Sequence, residues 1–456
     1  MTALSALHFT FNKPYVLFVV VLLFGCTPKP EQIIDSDGWT HLFNGSDLTG
    51  WKTGENPESW TVEDSSLTGI GERSHLFYTG DELKDGFKNF ELEVEVMTQK
   101  LANSGIYFHT EFQEENWPSK GHEIQVNNTH LGIHDYTELK KTGSLYGIRN
   151  TYKAFARDNE WNKIRIVVQG ARVEVWVNDI NTVDYVMPGG PDNNPLSSGT
   201  FALQCHDPDS KVQYRSVRVK RLSTPAPPTT AYVPGPWYQR MQALQKDQFP
   251  FIDLHPQFEG PDNIAERVKF YYQTGINAGS LTTGRDLENV PEVTRTLEER
   301  KVLPVFFGVK LTLSDFDSVD QNILAPFEYT IGTTSTTHRI LDEYAEEIRA
   351  LLAHPKIDIW SKPFYLPNGP AVPPALVDEL LNLAASNKIA IEIDNTLKAP
   401  SLEVLRKAKN IGCRFTFSNI SPEHKMKASQ YVIEVSEELG LKYQDIYVPG
   451  WEEQDL

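Results

Sequence analysis

Gly121-His122-Glu123-Ile124-Gln125-Val126-Asn127-Asn128 reads as a β-strand with one apolar and one polar side. The two-residue period puts Ile124 and Val126 on one face and Glu123, Gln125 and Asn127 on the other. The first face belongs to a core. The second is a row of carboxylate and carboxamide groups, which a sheet carries either as a solvated surface or as the floor of a site for a polar ligand.

The text on either side of this stretch has the same grain. Phe90–Val96, Ser104–His109, Ile164–Val168, Val173–Val177, Phe201–Cys205 and Val217–Val219 are short strand-like runs punctuated by Gly, Asn, Asp and Pro, and helical periodicity is nearly absent. Residues 37–222 therefore predict an all-β two-sheet sandwich, most economically a jelly roll. Alternation along Ser104–His109 sends Ile106 and Phe108 to the core and Gly105, Tyr107 and His109 to the other side. Along Phe201–His206 it leaves Ala202, Gln204 and His206 opposite the core. If these polar faces coincide, His109, Glu123, Gln125, Gln204 and His206 converge on one concave surface.

Each of these residues also has a plainer reading. Glu123 and Gln125 would serve equally as solvated strand residues, and His206 opens the loop His206–Ser210, where an ordinary histidine is unremarkable. Trp117, in the loop 114–120, would stack on a pyranose face or merely cover an edge. Trp39, Trp51, Trp60 and Trp161 read as core and corner packing.

Leu42-Phe43-Asn44-Gly45-Ser46-Asp47-Leu48-Thr49-Gly50-Trp51, Trp60-Thr61-Val62-Glu63-Asp64, Asn103-Ser104-Gly105-Ile106-Tyr107-Phe108, His122-Glu123-Ile124-Gln125, Thr142-Gly143-Ser144-Leu145-Tyr146-Gly147 and Glu160-Trp161-Asn162 follow one another in order. Through these blocks, and on through Leu203–His206 to Arg218–Lys220, residues 37–222 resemble the 3-keto-disaccharide hydrolase domain family, which has a concanavalin-like jelly roll. The resemblance implies cleavage of a glycosidic bond in a sugar oxidised at C3. A ketone there acidifies the C2 hydrogen, so the C1 substituent can leave by elimination and water can add afterwards. That chemistry asks for a general base, a donor for the enolate oxygen and an acid for the leaving group. Glu123, His206 and His109 are the catalytic candidates. Gln125, Tyr107, Asn127, Gln204, Trp117 and Tyr146 are the substrate-binding ones. The pattern departs at position 109, where the family often carries arginine. No second acid is placed comparably to Glu123, which disfavours a plain two-carboxylate glycosidase. A carbohydrate-binding protein without catalysis is the competing reading.

Beyond the Pro- and Thr-rich stretch 223–235, read as a linker, residues 236–456 change character. Phe249–Leu254, Ile276–Leu281, Val302–Phe307, Ile357–Trp360, Ile389–Ile393 and Arg414–Phe417 read as strands. They alternate with helical runs such as His338–Leu352, Pro374–Ser386, Ser401–Lys409 and Pro422–Leu439. Repeated βαβ units predict a parallel α/β barrel. Ile252-Asp253-Leu254-His255 resembles the opening of the PHP family of metal-dependent phosphoesterases. Gln257, Thr283-Gly284-Arg285, Lys310, Lys362-Pro363 and Ser418-Asn419 stand where that family's pattern has other residues. Only His255 and Glu392 keep the pattern, and two such groups beside two cations make no metal site. The resemblance thus implies a PHP-like barrel without its metals. His255, Lys310, Lys362, Glu392 and Asn419 would lie at its mouth and could bind a ligand, carry metal-free chemistry or be leftovers.

The net charge of −18 argues against a nucleic-acid partner. The apolar run Tyr15–Phe24 ends in Leu23-Phe24-Gly25-Cys26, which resembles a bacterial lipobox. It implies a signal peptide over residues 1–26, lipid on Cys26, a tether over 27–36 and a place in the cell envelope, most simply the outer membrane. Cys205 and Cys413 sit in apolar runs of different domains and read as buried packing. There is no dinucleotide fingerprint, so the oxidation would belong to a separate glycoside 3-dehydrogenase. No cofactor is expected, and a divalent metal is left open.

Overall fold

Alternation carries through most of the N-terminal half. In the computed structural model, which describes residues 34–133, 136–187, 198–223, 236–246, 248–256, 264–334, 340–367, 369–420 and 430–451, the strands from Thr40 to Arg221 form two antiparallel sheets. Cys26 and its flanking leader, most of the linker, and Gln257 lie outside the described residues.

The larger sheet has eight strands. Its spine is Ile180–Val186, Arg172–Val177, Asn162–Gln169, Phe90–Thr98, Val212–Arg221, Ser66–Gly69 and Trp60–Glu63, with Thr40–His41 added on Val212–Arg221. Phe90–Thr98 alternates strictly between buried and half-buried residues. Its outward Glu91, Glu93 and Glu95 pair with Arg165, Arg218 and Arg215 on the neighbouring strands. This outer face is an ordinary wet one, and its ion pairs are each worth less than about 1 kcal/mol.

The smaller sheet runs Trp51–Thr53, Ser74–Tyr78, Thr200–Cys205, Asn103–Thr110, His122–Asn127. It is buried on both faces: every residue of Ser74–Tyr78, Asn103–Thr110 and Thr200–Cys205 is buried. Leu76, Leu203, Ile106 and Ile124 face the sandwich core. Residues 141–146 run along the free edge of His122–Asn127, with Gly143 N donating to Gln125 O and Tyr146 N to Glu123 O. The loop around Lys140 roofs the inner end of the polar row proposed from the sequence: Gln125 and Asn127 are buried, and Glu123 is half-buried. This two-sheet architecture fits a jelly roll.

One expected position is corrected. His109 has φ +54°, and two residues of its strand oppose one between Thr200 and Ala202, so a β-bulge interrupts the alternation. The ring turns to Phe90 and Phe108, and Nε2 reaches Lys88 O at 3.0 Å. Burial holds this imidazole down at about 4.

The C-terminal half is a closed barrel of seven parallel strands: Ile252–His255, Asn277–Thr283, Val305–Leu311, Tyr329–Gly332, Ile359–Trp360, Ala390–Asp394 and Phe415–Ser418. Six correspond to the apolar runs in the sequence. Tyr329–Gly332 was not among them, because four residues with one central polar threonine carry too little pattern. The helix Leu341–Leu352 packs on Pro374–Ser386, which packs in turn on Leu402–Ile411. Cys205 and Cys413 are both buried free thiols.

The two halves are joined by more than the chain. Leu139 and Tyr152 of the sandwich loops are counted in the barrel's core. Arg149 Nε donates to Gln273 O at 2.7 Å, Lys153 Nζ to Val305 O at 2.7 Å, and Lys269 pairs with Asp184 at 2.5 Å. Among the described residues, no helix is long and apolar enough to cross a membrane.

Candidate active site

Register places the site residues side by side. Tyr107 stands opposite both Glu123 and Ala202, and Gln204 stands opposite His75. Four neighbouring strands therefore present His75, Gln204, Tyr107 and Glu123 on the face turned away from the core. Glu123 Oε2 accepts from the Tyr107 hydroxyl at 2.9 Å, and Oε1 accepts from Gln204 Nε2 at 3.3 Å. Gln204 Nε2 also donates to the Tyr107 oxygen at 3.0 Å, closing a triangle.

Gly105 makes room for the carboxylate. A Cβ there would lie 2.3 Å from Glu123 Oε1 and 3.0 Å from its Cδ, so the side chain folds across bare backbone. Burial pushes Glu123 up to about 7, with the nearby Glu138 carboxylate acting the same way. The Tyr107 hydrogen bond, the Lys140 charge and Gln204 pull it down. Such a group takes and releases a proton near neutrality.

The roof over this face adds charge and rings. Lys140 Nζ lies 3.1 Å from Glu138 Oε1 and 4.1 Å from the centre of the Tyr146 ring, and both members of the ion pair are buried. From Tyr107 a file of rings leads outward. Its ring lies 5.4 Å from His75, His75 lies 5.5 Å from Trp117, and Trp117 lies 5.2 Å from His206. Trp117 is 41% exposed and leans on the Arg73 guanidinium, itself held by Glu55. Its open surface suits the apolar face of a sugar ring. His206 Nδ1 is 2.7 Å from Asp207 Oδ2, which also accepts from Ser210 Oγ at 2.8 Å. A carboxylate that only accepts fixes the proton of His206 on Nδ1 when the ring is neutral.

The structure thus brings together Glu123, Tyr107, Gln204 and Tyr146, and adds Trp117 and His206 at the outer end. Two other members of the expected row face the same way but are spent on the fold. Gln125 Nε2 donates to Asn103 Oδ1 at 2.8 Å, and Asn127 Nδ2 donates to Lys140 O at 2.9 Å while its Oδ1 accepts from His130 N. Both are buried: Gln125 ties its strand to the neighbouring one, and Asn127 holds the roof. Trp51 and Trp60 are core residues.

His75, Gly105, Glu138, Lys140 and Asp207 were not singled out in the sequence. His75 had a signal in the alternation of Ser74–Tyr78; Glu138 and Lys140 sit on an aperiodic loop and had none. His75 is driven down to about 3 by burial, so it is neutral, and its buried Nε2 has no partner among the described residues. Among the described residues, no three or more His, Cys, Asp or Glu side chains gather in a way that would hold a metal.

At the barrel mouth, His255 Nδ1 is 2.5 Å from Glu392 Oε1, and Lys310 Nζ is 3.2 Å from His255 Nε2. Lys362 contributes its backbone N–H to Glu392 Oε2 at 2.7 Å. Asn419 turns instead to Asp394, at 2.8 Å.

Residues 38–220 match the model of the 3-keto-alpha-glucoside-1,2-lyase-like domain. A 3-keto-disaccharide hydrolase of Bacteroides thetaiotaomicron is 28% identical over 242 residues, covering 41% of this chain and 80% of that protein. Among solved structures, a candidate glycosyl hydrolase of Parabacteroides distasonis aligns with TM-score 0.37 and 22% identity, over 42% of this chain and 99% of its own. A carbohydrate-binding module of Bacillus subtilis aligns with TM-score 0.28 and 15% identity, over 38% and 95%.

Proposed function

We propose that the 3-keto-alpha-glucoside-1,2-lyase-like domain at residues 38–220 cleaves 3-keto-glycosides by proton abstraction beside the ketone, with Glu123 as general base. The observation that carries this is the Glu123 carboxylate itself: raised to about 7, hydrogen-bonded on both oxygens and seated over Gly105. Glu123 takes the C2 proton, the C2–H electrons form the C1–C2 double bond, and the C1–oxygen bond breaks. The departing oxygen needs a proton. We assign that donation to His206: with Nδ1–H held by Asp207, its imidazolium form gives up the Nε2 proton. Water adding across the new double bond completes a net hydrolysis. Tyr107 and Gln204 position the base, and Trp117 carries the sugar or its aglycone.

The 3-keto substrate must come from a separate glycoside 3-dehydrogenase. The lipobox-like Leu23–Cys26 supports a lipid-anchored protein of the cell envelope, most simply at the outer membrane. Palmitate labelling lost in Cys26→Ser tests that. The retained His255 and Glu392 support a PHP-like ancestry for the barrel.

The decisive assay offers aryl 3-keto-glucosides of both anomers to the purified full chain. Aglycone release by the native protein, lost in Glu123→Gln with intact folding, supports the reading. Tight binding without turnover would replace it with a carbohydrate-binding lipoprotein, for which the exposed Trp117 face is the favouring observation.

A further inference from the structure

We propose that Lys310, at the mouth of the barrel, is a nucleophilic amine that captures the carbonyl carbon of a small polyhydroxylated ketone or aldehyde as an imine. Activated nucleophiles share a recognisable geometry, in which nucleophile and base lie within hydrogen-bond reach and a third group orients the base. Lys310 Nζ, His255 Nε2 and Glu392 Oε1 have it, at 3.2 Å and 2.5 Å.

Glu392 is fixed independently by the Ser361 hydroxyl at 3.0 Å and the Lys362 N–H at 2.7 Å. Because the carboxylate only accepts, the His255 proton sits on Nδ1 and the Nε2 lone pair faces the lysine. Burial and the Lys362 charge weaken the hold of Lys310 on its proton, while Glu392 and Asp394 strengthen it. The amine is not sealed in: Lys310 is half-buried, one residue from the C-terminal end of its strand. On the residue after the last barrel strand, Asn419 Oδ1 is buried and has no partner among the described residues, a ready acceptor for a ligand hydroxyl.

The chemistry balances without an oxidant. His255 takes a proton from the Lys310 ammonium, and the freed Nζ lone pair attacks the carbonyl carbon. The carbonyl electrons move to oxygen, which takes a proton given up by the attacking nitrogen. The carbinolamine then loses that oxygen as water, with His255 returning its proton, and a C=N bond remains.

The test mixes the folded full chain with dihydroxyacetone and sodium cyanoborohydride, which reduces an imine to a stable amine, and maps the product by mass spectrometry. The expected result is a reduced adduct on Lys310 that forms at least about tenfold faster than on the exposed Lys301. His255→Asn should slow it, and Lys310→Arg should abolish it with circular dichroism unchanged. Labelling of Lys310 no faster than Lys301 overturns the proposal; should Lys310→Arg misfold, mapping of the native chain decides alone. No glycoside is present, so this outcome is separate from the fate of Glu123 as a base.

Discussion

The Tyr107 hydroxyl donates to Glu123 Oε2 at 2.9 Å from the residue registered directly across the strand pair. This bond favours the charged carboxylate and works against the burial that raises Glu123 to about 7. Tyr107→Phe removes it while keeping the ring. The rising limb of the kcat/KM profile should then move from near 7 to higher pH by about one unit, since a bond to a charged group is worth about 1.5–3 kcal/mol. A limb that stays below about pH 5 in both proteins would rule out Glu123 as the base.

The same carboxylate predicts a stability effect of opposite sign to its catalytic value. Its pKa in the fold lies above the ordinary 4.5, so the folded state prefers the neutral acid. The stability this group contributes is full below the unfolded pKa and is lost as pH rises towards 7. Glu123→Gln cannot ionise. It should melt higher than the native protein at about pH 8, by roughly 1 kcal/mol after allowing for partial exposure, and no higher near pH 4. Paired calorimetry at the two pH values reads the difference.

Gly105→Ala tests whether placement matters beyond acidity. The new Cβ would meet Glu123 Oε1 at 2.3 Å, so the carboxylate must move off the sheet. The backbone of Gly105 needs no left-handed conformation, so alanine costs the fold little there. The expected outcome is a fall in kcat/KM of about 100-fold with near-native melting, the loss typical of a reacting group displaced by about 1 Å.

Trp117 should behave differently from all of these. It touches His75, His206 and Arg73, and in the proposed mechanism it holds the sugar. Trp117→Ala is expected to raise KM about tenfold and leave kcat within about twofold, the signature of binding shared equally by ground and transition states. A collapse of kcat instead would place the indole in the chemistry.

The sequence was legible where pattern and period agree. Strict alternation in Phe90–Thr98 and the single polar side of His122–Asn127 located both sheets and the strand that carries Glu123. Alternation failed at His109, where a bulge that no periodicity reveals turns one residue over. It misled at Gln125 and Asn127, which face the right way but are consumed, Gln125 by Asn103 on the adjacent strand and Asn127 by a roof loop whose path depends on contacts with distant residues. Glu138 and Lys140 were invisible for the same reason. In the barrel, repeated βα text announced the architecture, while the meeting of Lys310 with His255 depends on strands 55 residues apart and needed the closed sheet to be seen.

The linker marks a boundary between two domains, and across it Tyr152 of the sandwich is buried in the barrel's core. Its hydroxyl donates to Phe249 O at 3.3 Å, its backbone N–H donates to Asn277 Oδ1 at 3.3 Å, and its ring lies 6.2 Å from Trp451. Removing a buried aromatic ring costs about 3–5 kcal/mol, whereas removing one hydroxyl that bonds a carbonyl costs about 1 kcal/mol. Tyr152→Ala should therefore lower the melting temperature of the barrel and uncouple it from the sandwich, separating one calorimetric transition into two. Tyr152→Phe should stay close to the native trace. Two separate transitions already present in the native protein, unmoved by Tyr152→Ala, would show that this interface contributes nothing to stability.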